Sequence, residues 1–98
     1  MNNLTLVDLF LNEYWIEKGL SENTVQSYRL DLTALCDWLD KQNLSLETLE
    51  PLDLQQFLGS RLEQGYKATS TARMLSAMRK LFQYLYREKY RTDDPSAA

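Results

Sequence analysis

Apolar residues recur at helical spacing along most of this chain, and no stretch alternates apolar with polar in the manner of a half-buried strand. Only three glycines and two prolines interrupt the pattern. A chain written this way buries its apolar side chains by packing helix against helix, which makes it all-α.

The spacing predicts four helices. The first follows Thr5 as N-cap, with Leu4 and Leu9 placed as a hydrophobic staple. It turns Leu6, Val7, Phe10, Leu11 and Tyr14 inward and stops at Gly19, with Leu20 packing back. The second follows Ser21 and runs to about Lys41, with Val25, Tyr28, Leu32, Leu35, Cys36 and Leu39 within an arc of about 100°. Residues 42–50 form a connector with apolar anchors. Pro51 suits the first position of a third helix, which carries Leu54, Phe57, Leu58 and Leu62 and ends at Gly65. The fourth begins near Thr69 or Ser70, runs to about Lys89, and buries Met74, Leu75, Met78, Leu81, Phe82 and Leu85. Pro95 cannot continue a helix, so residues 92–98 read as the start of an exit linker behind a helical domain of residues 1–91.

Composition narrows the chemistry. At 98 residues, 44% of them hydrophobic and 26% charged, the chain has the make-up of one folded domain. No apolar run approaches the ~18 residues of a membrane span, and the start, Met1-Asn2-Asn3-Leu4, lacks the basic and apolar regions of a signal peptide. A single cysteine excludes a disulfide framework and fits a reducing cytoplasm. With no histidine, most metal sites and nearly all Ser-His or Cys-His catalysis are removed. Cys36 sits on an apolar stripe and reads as a core residue; Trp15 and Trp38 read as packing anchors; the six tyrosines form no catalytic constellation. No Asp-x-Asp-x-Asp loop or Gly-rich phosphate loop is present. The residues therefore offer no catalytic site, no metal site and no cofactor site.

Charge is unevenly distributed. The net charge is −3. Residues 1–60 hold ten acidic and three basic residues, a net of −7, whereas residues 61–98 hold four acidic and eight basic residues, a net of +4. Screening confines charge interactions to about 8–10 Å, so a locally basic surface binds phosphates even on an acidic chain. On the fourth helix Arg73, Ser76, Arg79, Lys80, Gln83 and Arg87 share the side opposite the apolar stripe, with no acidic residue among them. Lys67, Thr69 and Ser70 cluster at its start, where helix N–H groups favour an anion. The second helix begins with a smaller polar group, Asn23, Thr24, Ser27 and Arg29, of types that reach base edges and phosphates. Of these, Lys67, Thr69, Ser70, Arg73, Arg79 and Lys80 are the principal candidate contacts to double-stranded DNA, with Ser76 beside them and Asn23, Thr24, Ser27 and Arg29 secondary. The same helices also carry Leu30, Trp38, Tyr84 and Tyr86, which as an exposed apolar surface would make the chain a helical protein-interaction module instead.

The segment Ser21-Glu22-Asn23-Thr24-Val25 followed by Tyr28-Arg29-Leu30-Asp31-Leu32 resembles the S-x-N-T-x-x-x-Y-x-x-D-L stretch of tyrosine recombinases, the phage integrase family. Gly65 to Arg79, Lys80 to Glu88 and Asp94-Pro95-Ser96-Ala97 extend the likeness over nearly the whole chain, nearest to the recombinases that resolve chromosome dimers. The resemblance implies a SAM-like four-helix bundle forming one half of a C-shaped clamp on duplex DNA, with the second and fourth helices toward the major groove. It also implies that residues 92–98 lead to a separate catalytic domain. There the family carries an arginine pair, a lysine, histidines and a nucleophilic tyrosine that forms a 3′-phosphotyrosyl link without metal or nucleotide cofactor. None of that set occurs here. A second, related recombinase in a heterotetramer is the implied partner of such a protein.

Overall fold

Four helices are set by their caps as much as by their apolar stripes. The computed structural model describes residues 1–97; the expected linker's last residue, Ala98, lies outside the described residues. Helix α1 spans Asn3–Lys18, α2 Glu22–Lys41, α3 Pro51–Glu63 and α4 Ala68–Arg87, with no strand among the described residues. The chain divides into two compact units, the first Met1–Leu46 and the second beginning at Glu47.

In the first unit α1 packs against α2. The expected cap at Thr5 is not used. Asn2 caps α1, its side chain accepting the Leu4 N–H at 2.8 Å, which is as good a cap chemically and starts the helix earlier. The earlier start carries Asn3 inward. Its Nδ2 donates to Asp40 Oδ1 at 3.0 Å and to the Leu44 carbonyl at 3.2 Å, and its Oδ1 accepts the Leu46 N–H at 2.9 Å. One buried amide therefore binds the start of α1 to the chain leaving α2. Leu4 and Leu9 remain exposed, so the expected staple is absent. Leu6, Val7, Phe10 and Leu11 are buried as the spacing predicts, and Tyr14 stacks on Phe10 with centroids 5.2 Å apart. Trp15 is exposed and does not serve as a packing anchor. Gly19 closes α1 in the left-handed conformation at φ 60°.

Ser21 caps α2 by accepting the Thr24 N–H. Val25, Leu32, Leu35, Cys36 and Leu39 are buried, as expected. The helix ends in a Schellman arrangement: Asn43 at φ 57° donates to Asp40 and Leu44 donates to Leu39. Burial pushes the Cys36 thiol pKa up to about 12, helped by the negative charges of Asp40, Asp37 and Asp8.

In the second unit α3 packs against α4. Pro51 opens α3, and Glu50 and Asp53 form a capping box in which the Glu50 N–H donates to Asp53 Oδ2 at 2.8 Å. Leu54 and Phe57 are buried, but the next buried position is Arg61, whereas Leu62 is 55% exposed. The phase explains the exchange. Arg61 lies about 20° from Leu54 around the helix axis and Leu62 about 80° away. The Arg61 stem runs through the apolar face and its guanidinium lies 4.0 Å from the Tyr66 ring centre. Gly65 at φ 90° then donates to Leu62, and Tyr66 to Arg61, closing the helix as the sequence predicts.

Along α4, Met74, Ala77, Met78, Leu81, Phe82 and Leu85 are fully buried. The helix ends two residues earlier than predicted, at Arg87, because Lys89 enters the left-handed region at φ 64° and Tyr90 donates back to Leu85. The segment after it is held to the unit. Arg91 is buried and donates to the Leu49 carbonyl at 2.7 Å and to Asp93 at 3.1 Å, and Pro95 is buried. Asp94 accepts the N–H and hydroxyl of Ser96.

Candidate nucleic-acid interface

The basic side of α4 follows from its core. Burying Met74, Met78, Leu81 and Leu85 fixes the helix rotation and sends Arg73, Arg79, Gln83 and Arg87 into solvent, with Ser76 and Lys80 half-buried beside them. The helix holds four basic residues and no acidic one. Lys80 Nζ donates to Ser76 Oγ at 2.9 Å, one turn back, so this cation and hydroxyl act as a pair. From Arg73 to Arg87 the face extends about 21 Å.

The start of α4 is built differently from the expectation that Thr69 or Ser70 caps it. Lys67 occupies the N-cap position and no side chain caps the helix, so Thr69 and Ser70 lie inside the first turn. The first N–H groups therefore stay without a side-chain acceptor, with the exposed Lys67 and Thr69 beside them. Lys67 and Arg79 enter no ion pair among the described residues.

Sequence reasoning missed Arg61. Its Nε and Thr71 Oγ1, on either side of the α3–α4 turn in sequence, are buried polar atoms without a hydrogen-bond partner. The legible signal was a basic residue seven positions after Leu54, in phase with the core stripe.

On α2 the candidates divide. Asn23 is exposed, whereas Thr24 and Ser27 are half-buried. The Thr24 hydroxyl lies 3.0 Å from that of Ser21, inside the cap. Arg29 is ion-paired with Asp8 of α1, so its charge is already balanced within the first unit. The apolar set of the interaction-module reading is unequally exposed: Leu30 and Tyr86 are exposed, Trp38 is half-buried, and Tyr84 is buried and stacked toward Tyr90. Among the described residues no group of His, Cys, Asp and Glu is placed to hold a metal, and no helix is long and apolar enough to cross a membrane.

Residues 7–89 match the family described as phage integrase, N-terminal SAM-like domain. Tyrosine recombinase XerD of Haemophilus influenzae is 88% identical over 97 residues, covering 99% of this chain and 33% of its own length. The Pasteurella multocida XerD is 74% identical over 97 residues, covering 99% of this chain and 33% of its own length. The Yersinia pestis XerD is 61% identical over 92 residues, covering 94% of this chain and 31% of its own length. The chain thus spans about a third of the length of these curated relatives.

Proposed function

Because the chain belongs to the family of phage integrase N-terminal SAM-like domains, we propose that it is the core-binding, duplex-gripping domain of a XerD-like site-specific recombinase. The observation that carries this reading is the outer side of α4: basic, hydrogen-bonding and free of carboxylates on a chain that is acidic overall. Such a side is poorly suited to being merely solvated, because exposed helices ordinarily intersperse charges of both signs. It is well suited to a phosphate backbone, which would bind Lys67, Arg73, Arg79 and Lys80 by counterion release and accept hydrogen bonds from Thr69, Ser70 and Ser76. Asn23, Thr24 and Ser27 on α2 are the secondary contacts, with Arg29 contributing through its ion pair to Asp8 more than through free charge.

This chain grips and orients DNA and does not cut it. Strand cleavage in the longer protein belongs to residues outside this segment, with residues 1–91 as the binding domain and 92–98 beginning the link to the catalytic part. A bacterial cytoplasmic setting, a XerC-like second recombinase in a heterotetramer, and a role in resolving chromosome dimers complete the proposal.

The test is a fluorescence-anisotropy titration of a labelled duplex with the full chain across a range of salt concentrations. Affinity should fall steeply and log-linearly with salt, and Arg79→Ala should weaken binding and reduce the slope by about one. Salt-independent binding, or equal affinity of Arg79→Ala and wild type at low salt, refutes the reading.

A further inference from the structure

Arg61 is buried without the anion that a buried cation ordinarily has beside it. It is 7% exposed, and a guanidinium taken this far from water is usually matched by a carboxylate. Among the described residues its side chain enters no ion pair and makes no hydrogen bond, and its Nε is fully buried. Glu63, the nearest acidic residue in sequence, is exposed and projects about 160° away around α3. The contacts left to the guanidinium are two rings, with centres 5.8 Å away for Phe57 and 4.0 Å away for Tyr66.

The Tyr66 ring leads to the start of α4. Tyr66 directly precedes Lys67, the N-cap residue, and the usual devices that fix a helix entry are missing there. No side chain caps α4, and the residue placed to complete a hydrophobic staple with Tyr66 is Thr71, whose hydroxyl is itself buried without a partner. Arg61 takes their place. Its carbonyl accepts the Tyr66 N–H at 3.2 Å and its guanidinium lies over the Tyr66 ring, so one residue holds both the main chain and the side chain of Tyr66. Tyr66 is 47% exposed and would otherwise turn in solvent. A guanidinium suits the task, because it stacks on an aromatic face and the stack strengthens out of water. The missing carboxylate is also consistent with a phosphate-binding turn, since a negative charge there would repel the ligand. Resting on the duplex-binding reading above, we propose that Arg61 is a positioning residue of that interface: stacked on Tyr66, it fixes the turn into α4 and holds Lys67 where a backbone phosphate meets it.

The experiment is a double-mutant cycle with the full chain, read as the salt slope of duplex affinity by fluorescence anisotropy. Arg61→Met keeps a long unbranched stem and removes the charge, an exchange that buried cations often tolerate. Tyr66→Leu, at an exposed position, carries the cycle alone should Arg61→Met fail to fold. Each of these should lower the slope by about one, the share of a single phosphate contact. Lys67→Ala should lower it by about one in wild type and by nothing further in either background, where Lys67 is already disengaged. Arg79→Ala should lower it by about one in all three, and Tyr66→Phe, which keeps the ring, should restore what Tyr66→Leu loses. The proposal is overturned if Lys67→Ala lowers the slope equally with and without the stack, or if Arg61→Met and Tyr66→Leu bind as wild type does. It is also overturned if they erase the Arg79 contribution along with that of Lys67, which marks general damage to the fold. Those outcomes leave the duplex-binding reading standing; salt-independent binding by wild type overturns both.

Discussion

Replacing Asn3 by alanine removes one side chain that makes three hydrogen bonds. The lost partners are Asp40 Oδ1, the Leu44 carbonyl and the Leu46 N–H. Asp40 is exposed and the Leu44 carbonyl is part-buried, so both can turn to water at a cost of about 0.5 kcal/mol each. The Leu46 N–H has no such recourse. It belongs to a fully buried residue, and leaving it unpaired costs about 1–3 kcal/mol. The combined destabilisation is about 2–4 kcal/mol. For a chain of this size each kcal/mol lowers the melting temperature by about 4–8 °C, so a fall of at least about 8 °C is expected by circular dichroism. Asn3→Asp should be at least as damaging, because its carboxylate keeps the acceptor but sets a negative charge against Asp40 and the Leu44 carbonyl. A melting temperature within about 2 °C of wild type for Asn3→Ala would refute the claim that this amide anchors the chain leaving α2.

Four further outcomes follow from the same structure. Cys36, with its thiol pKa raised from 9.0 to about 12, should resist thiol reagents at pH 8 until the protein is unfolded; rapid labelling of the native chain contradicts its burial. Above pH 9 the unfolded thiol ionises while the folded one does not, so this group lowers stability by about 1.4 kcal/mol per pH unit up to pH 12; Cys36→Ala should remove that part of the alkaline slope in urea titrations. Arg91→Ala should cost about 2–3 kcal/mol by leaving the Leu49 carbonyl without its 2.7 Å donor, and an unchanged urea midpoint would sink that assignment. Gly65→Ala should cost about 1–2 kcal/mol although nothing lies within 4 Å of an added Cβ, because φ 90° is strained for any L side chain; equal stability of the variant would refute it.

The helices were legible where two independent signals agreed. Ser21 and Pro51 mark helix starts by cap chemistry and also precede apolar stripes, and both fall where expected. Thr5 failed because Asn2 offered an equivalent cap and Asn3 had a buried use that no local rule registers. Leu62 failed because hydrophobicity ranks it above Arg61, whereas the rotation of α3 favours Arg61, whose long stem tolerates burial.

The sequence alone determined the helical class, the four segments and the sign of the α4 outer side, because periodicity and charge type are properties of the residues themselves. Tertiary structure alone decided which of those residues keep their chemistry available. Arg29 lost its independent charge to Asp8, twenty-one positions away in the chain, and Tyr84 sank below the surface, whereas Leu30 stayed out. Partners so distant in sequence meet only when helices pack, and a side chain's charge or apolar surface serves a ligand only to the extent that packing leaves it unclaimed.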